Sequence, residues 1–146
     1  MKISLITVCY NSSETIEDTI KSIQSQTYSD IEYIVIDGLS KDNTNSIIRK
    51  YSDVVSTHIS EKDQGLYDAM NKGIKLATGD VVGILNSDDI LFDDFVLEKI
   101  ADGFSSPEVD AVYSDLIYVK QKDINKTTRL YSSKIFSKGL MMFGLM

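Results

Sequence analysis

The segment Gly79-Asp-Val-Val-Gly-Ile-Leu-Asn-Ser-Asp-Asp89 joins an apolar run directly to a pair of carboxylates. Val81–Leu85 has the length and composition of a strand, and it runs into Asn86-Ser87-Asp88-Asp89 without an intervening linker. A helical pattern with Phe95, Val96 and Ile100 follows. The same order occurs three times upstream. Ile3–Val8 leads to Tyr10-Asn11 and a helix with Ile16, Ile20 and Ile23 at helical spacing. Ile31–Ile36 leads to Asp37-Gly38-Leu39-Ser40 and a helix with Ile47, Ile48 and Tyr51 inward. Val54–Ile59 leads to Glu61-Lys62-Asp63 and a helix marked by Leu66, Ala69, Met70, Ile74 and Ala77.

Repeated strand–helix units predict an α/β protein, a three-layer sandwich with a mostly parallel central sheet and helices on both faces. In such sheets ligands bind beyond the carboxyl ends of the strands. All four polar clusters fall at those ends, so they are expected to converge on one ligand. Local signals add detail. Asn11 and Glu14 have the spacing of a capping box, and Gly79 is placed as a helix C-cap. Val109–Tyr113 reads as a fifth strand. Leu116–Lys120 and Thr128–Tyr131, joined through the polar segment Gln121–Lys126, read as a hairpin.

A chain of 146 residues fits one domain spanning residues 1–146 and can bury roughly 68–70% of its unfolded surface. Fifteen basic against 22 acidic residues give a net charge of −7, which argues against a nucleic-acid partner. A phosphate-bearing small molecule is still compatible with that charge if a metal ion supplies local positive charge. The single cysteine, Cys9, lies in an apolar run and reads as a buried thiol; it excludes an intrachain disulfide and a Cys-rich metal site. The N-terminal apolar run is short and β-branched, with no small-residue cleavage site after it. It reads as a strand rather than a signal peptide, and the protein as cytoplasmic. No apolar stretch approaches the ~20 residues of a membrane span.

The chain has no G-x-G-x-x-G after its first strand, no P-loop signature and no EF-hand spacing. Asp88 and Asp89 are hard oxygen ligands suited to Mg²⁺ or Mn²⁺, with room left for substrate phosphate oxygens. Asp is also favoured at helix starts, but two adjacent aspartates exceed what a cap needs. Asp37 has two readings: a carboxylate that accepts a base N–H, with Gly38 allowing close approach, or an Asx-type turn with Ser40. Tyr10 either stacks on a base or caps the sheet edge. Asp63 is a cleft residue or a helix cap, and Asp68 and Asn71 share one helix face. His58, the only histidine, has no partner at a recognisable spacing, which excludes a Ser-His-Asp hydrolase.

Four strings in order, Ser4–Asn11, Val35–Thr44, Asp63–Gly73 and Gly79–Asp89, resemble the family-two glycosyltransferases, the inverting enzymes of bacterial surface-polysaccharide assembly. The resemblance covers about residues 3–100. It implies the glycosyltransferase-A fold, in which a Rossmann-like nucleotide-binding half is continued by an acceptor-binding half. It also implies a nucleotide-diphosphate sugar donor, most often a UDP-sugar, and a Mg²⁺ or Mn²⁺ ion. Carried over by position, Thr7 and Tyr10 would line the base pocket and Asp37 would contact the base. Lys62, Asp63 and Gly65 would border the nucleotide, Asp88 would face the ribose or the metal, and Asp89 would be the principal metal ligand. The family's metal motif begins with Asp where this chain has Asn86, and many members have Arg where this chain has Met70.

The catalytic base of similar enzymes is a carboxylate from the acceptor half, and no segment here matches it. The base therefore stays unassigned; Asp115, read as a strand end, is the nearest candidate. The chain reads as truncated before the acceptor half, because Leu140–Met146 is almost wholly apolar and suited to packing against further structure. Peripheral contact with the inner membrane face is the rival reading of that segment. The expected function is transfer of a sugar to a glycan or lipid-linked acceptor. The alternative is a nucleotide-sugar and metal-binding fragment without transfer activity. A nucleotidyltransferase would need a glycine-rich, basic loop after the first strand, and Asn11-Ser12-Ser13-Glu14 is not one.

Overall fold

The computed structural model describes residues 1–120 and 123–133. The chain forms two compact units, Met1–Ala101 and Asp102–Met146. Unit 1 contains four parallel strands, β1 (Ile3–Cys9), β2 (Ile31–Asp37), β3 (Thr57–Ser60) and β4 (Val81–Ile84), in the spatial order β3-β2-β1-β4. Between them lie α1 (Ile16–Gln24), α2 (Thr44–Lys50) and α3 (Leu66–Leu76), and α4 (Val96–Gly103) follows β4.

β1 is buried at all seven positions, which is why its sequence shows no polar alternation. Alternate residues feed two cores. Leu5, Tyr33 and Val35 pack with Ile16, Ile20, Ile23 and Ile48 from α1 and α2. Ile6, Val8, Ile34 and Ile36 pack with Ala69 of α3. The result is the expected three-layer α/β sandwich.

Several local expectations are corrected. The third strand starts later than Val54, because Val54 and Val55 still donate to the Tyr51 carbonyl in a turn that closes α2. The Asn11–Glu14 capping box does not form. α1 starts after Thr15 with no side-chain cap, and Asn11 instead accepts the Lys41 amide at 2.9 Å. Gly79 is not a helix C-cap, since α3 ends on an extended Ala77. It is a close-approach residue: a Cβ there would stand 2.7 Å from the Lys2 carbonyl oxygen and the Ser4 nitrogen.

In unit 2, Val109–Tyr113 is not a strand. Among the described residues no neighbouring strand pairs with it, and β propensity alone does not make a strand. Val112 packs instead against Gly103. The hairpin forms as β5 (Leu116–Lys120) antiparallel to β6 (Asp123–Tyr131), so most of the polar connector belongs to the second strand. Asp115 precedes a strand rather than ending one, and its Oδ1 accepts the Ser133 amide at 2.6 Å. Leu140–Met146 lies outside the described residues.

Candidate functional site

Strand order reverses direction of growth at β1, where β2 lies on one side and β4 on the other. Beyond the carboxyl ends at this switch point lies an open cleft of about 510 Å³. Its walls include Cys9, Tyr10 and Ser12 after β1, Asp63 and Gly65 after β3, and Asn86, Ser87 and Asp88 after β4. Leu66 and Ala69 at the start of α3 complete it. Three of the four expected clusters therefore line one cavity.

The fourth cluster, after β2, holds the others in place. Asp37 is fully buried, and its carboxylate accepts the Ser40 amide at 3.0 Å, Asn45 Nδ2 at 2.8 Å and the Ser60 hydroxyl at 2.6 Å. The Ser40 hydroxyl donates to Oδ1 as well. Burial pushes the Asp37 carboxyl up, but the donors from Ser40, Ser60 and Asn45 outweigh it and hold the group below its usual value. The carboxylate expected to meet a base thus offers no free surface here and is an organising hub. Gly38 also allows a close approach, but to protein: a Cβ there would lie 2.5 Å from Asp63 Oδ2 and 3.4 Å from the Tyr10 ring.

Thr7, expected to line the base pocket, is fully buried here, and its hydroxyl accepts the Tyr33 phenol at 3.0 Å inside the core. Tyr10 is 57% exposed with its ring on the cleft, as stacking would require. The exposed Lys62 side chain is not among the cleft residues; its carbonyl accepts Lys72 Nζ at 3.0 Å. Asp63 Oδ1 accepts the Gly65 amide at 2.9 Å, across a turn in which Gly65 takes a φ of +112° that favours glycine.

Asp88 is exposed on the cleft wall, whereas Asp89 is half-buried beside it, with Oδ2 held by Asn86 Nδ2 at 2.9 Å. No third His, Cys, Asp or Glu joins a metal-binding group among the described residues. The donor set therefore suits a hard cation that fills most of its coordination shell with water or phosphate oxygens, as Mg²⁺ does. The Cys9 thiol is buried beside Asp37, and both features push it upward, so it is not a nucleophile. His58 lies on β3; its Nε2 is buried without a partner, and burial lowers its pKa despite the opposing pull of Asp37.

Small polar residues knit the loops together, among them Ser12, Asp42 and Thr44, for which sequence alone indicates no specific role. Ser12 and Ser87 share a hydroxyl hydrogen bond of 2.9 Å across the switch point. Asn11 N–H donates to Ser40 Oγ at 2.7 Å, and Ser12 N–H to Thr44 Oγ1 at 2.8 Å. Asp42 accepts from Thr44 and Ser13, with Thr44 the larger cause of a carboxyl held well below the usual range. Two non-glycine residues adopt left-handed backbone among the described residues, Asn11 (φ 52°) and Leu39 (φ 65°), one in each of the first two loops. Backbone of this kind costs about 1–3 kcal/mol and collects at functional sites.

Residues 4–144 match the family described as glycosyl transferase family 2. The chain belongs to that family. It is 37% identical over 113 residues to the poly-β-1,6-N-acetyl-D-glucosamine synthase of Staphylococcus epidermidis, covering 75% of this chain and 27% of that protein. It is 34% identical over 118 residues to a PGL/p-HBAD biosynthesis glycosyltransferase of Mycobacterium bovis, covering 78% and 46%. Among solved structures, S. aureus TarS in complex with UDP-GlcNAc superposes with a TM-score of 0.64 at 28% identity, over 70% of this chain and 30% of that one. The Pyrobaculum calidifontis mannosyltransferase in complex with GDP-Man and Mn²⁺ superposes at 0.70 over 85% and 37%, and at 24% identity it supports the fold alone. This family 2 chain spans between 27% and 46% of the length of these relatives. No described helix is long and apolar enough to cross a membrane.

Proposed function

We propose that this chain is the donor-binding part of a glycosyltransferase that moves a sugar from a nucleotide-diphosphate sugar to a glycan or lipid-linked acceptor in surface-polysaccharide synthesis. The observation that carries the reading is the cleft at the switch point, with an aromatic ring on one wall and the acidic Asn86–Asp89 loop on another. Tyr10 stacks on the base at the rim, and Asp63 and Gly65 border the nucleotide. Asp37 sets the loop on which these contacts depend, and it reaches a base only by exchanging one of its present donors. Lys62 borders the nucleotide through its backbone. UDP is the first candidate for the nucleotide.

Asp88 and Asp89 would hold Mg²⁺ or Mn²⁺, Asp89 by giving up its hydrogen bond from Asn86. Such an ion would supply positive charge opposite the diphosphate and the leaving nucleoside diphosphate. No residue of this chain is assigned as the base that deprotonates the acceptor. We place the activity in the cytoplasm, with peripheral contact at the inner membrane face, because a lipid-linked acceptor would lie there.

The test is calorimetric titration of UDP, GDP and dTDP with Mn²⁺ and then with EDTA, on wild type and Asp89→Ala. Metal-dependent binding of one nucleotide, lost in the variant, is the expected result. Folded protein that binds none of them overturns the proposal. A second reading is donor binding without sugar transfer by these residues alone, since they span 27% of the Staphylococcus epidermidis relative and 46% of the Mycobacterium bovis one. Donor turnover in an acceptor lysate separates the two.

A further inference from the structure

The loop between β3 and α3 has little backbone support of its own. Backbone hydrogen bonds outside the regular elements reach it at Glu61, which donates to the Asp37 carbonyl, and resume at Gly65, which accepts from Asp68 and Ala69. Between these points two side chains of α3 do the holding. Lys72 Nζ donates to the Lys62 carbonyl at 3.0 Å and pairs with Glu61 at 2.9 Å. Asp68 Oδ2 accepts the Gln64 amide at 3.0 Å, and Asp68 and Lys72 pair with each other at 3.3 Å.

We propose that Asp68 and Lys72 are positioning residues of the donor cleft, a charged clamp that fixes the loop Glu61–Gly65 so that Asp63 and Gly65 face the nucleotide. This rests on the donor-site reading given above. Neither clamp residue lines the cleft itself. An ordinary exposed pair four residues apart on a helix contributes little and has no reason to touch a preceding loop. This pair grips that loop's backbone at one carbonyl and one amide, on either side of Asp63. Asp68 is held below its usual pKa, first by the Gln64 amide and then by Lys72; Lys72 is held above its own by Glu61 and Asp68. Both ends are therefore charged at neutral pH, where charge-assisted hydrogen bonds are strongest. Gly65, at φ +112°, marks the turn the clamp stabilises.

Lys72→Met and Asp68→Asn separate a clamp from a simple electrostatic effect, because they change local charge in opposite directions. With a negatively charged diphosphate, a pure field effect weakens UDP binding in Lys72→Met and tightens it in Asp68→Asn. A clamp weakens it in both. The probes are UDP with Mn²⁺ by calorimetry, and hydrogen exchange at the Gln64 and Gly65 amides of the nucleotide-free 146-residue chain. The expected result is a loss of about tenfold in UDP affinity in each variant, with amide exchange faster by a similar factor and melting temperatures close to wild type. Wild-type affinity in Lys72→Met, or equal or tighter binding in Asp68→Asn, overturns the proposal. If wild type binds no nucleotide, the donor-site reading fails by itself. Exchange then judges the clamp: unchanged protection at Gln64 in both variants overturns it.

Discussion

The carboxylate of Asp63 fills the space above Gly38, so that a Cβ on residue 38 would stand 2.5 Å from its Oδ2. The loop after β3 thereby rests on the end of β2, and the position of one cleft wall depends on a missing methyl group. Gly38→Ala needs no forbidden backbone angle, since its φ is not among the positive ones. Its clash is with the tip of a movable side chain, so the cost falls on the site rather than on the fold. The expected outcome is about tenfold weaker nucleotide binding by calorimetry, with stability changed by less than about 1 kcal/mol. Gly79→Ala is the contrasting case, because its clash is with the backbone of Lys2 and Ser4. Overpacking of that kind costs about 1–3 kcal/mol, visible in a urea melt. Equal stability loss in the two variants would show that Asp63 cannot move aside.

Asn86 stands where the family's metal motif begins with Asp, and its amide holds Asp89 Oδ2 at 2.9 Å. Asn86→Asp replaces a donor by a third carboxylate. Without metal, like charges meet and the loop loses a hydrogen bond, so thermal stability falls. With Mn²⁺ the added ligand charge raises affinity, on the order of tenfold or about 1.4 kcal/mol. Titration of Mn²⁺ in the presence of UDP checks it. Weaker Mn²⁺ binding in Asn86→Asp would mean that the Asn86–Asp89 contact helps orient the ligand instead.

The Tyr33 phenol donates to Thr7 Oγ1 in the core, which bears on whether Thr7 belongs to a base pocket. Thr7→Val keeps the shape and removes the acceptor, leaving a buried phenol unsatisfied. That costs about 1–3 kcal/mol of stability. Nucleotide affinity is expected to stay within about twofold of wild type, since the side chain has no surface. A variant of normal stability with weakened UDP binding would return Thr7 to the pocket.

The sheet and the cleft's location are legible in the sequence because they follow from short-range pattern. Continuous apolar runs such as Ile3–Cys9 report burial on both faces, and strand-end clusters in an α/β alternation can only meet at one edge. Contacts between residues far apart in sequence leave no such trace. Ser12 and Ser87 are 75 positions apart, and nothing in either tripeptide announces their hydrogen bond. Asn11 has the spacing of a capping box, yet tertiary contacts with Ser40 and Lys41 take its polar groups instead. Val109–Tyr113 joins no strand ladder among the described residues, and β propensity by itself does not set such pairing. Asp37 is the instructive mixture: its importance is visible from its place at the end of β2, but the groups that donate to it come from a loop (Ser40), from α2 (Asn45) and from β3 (Ser60), and their convergence decides its exposure.

Glu32 gives a pH test of the opposite sheet edge, away from the cleft. Hydrogen bonds from the Ser4 hydroxyl and from the Thr78 amide and hydroxyl hold its carboxyl down, to about 2, and Lys2 pairs with it at 3.1 Å. A carboxyl whose folded pKa lies below its unfolded value near 4.3 stabilises the fold above that unfolded value. The contribution shrinks as pH falls from about 4.3 and is gone below the folded pKa near 2. Glu32→Gln keeps the size but not the charge. It is expected to be about 1–2 kcal/mol less stable than wild type at pH 7, after allowance for solvent screening. Urea melts of both proteins between pH 7 and pH 2 check the sign, because the gap must close on acidification. A gap that is constant with pH would assign the loss to packing at the Ser4–Gly79 contact rather than to the Glu32 charge.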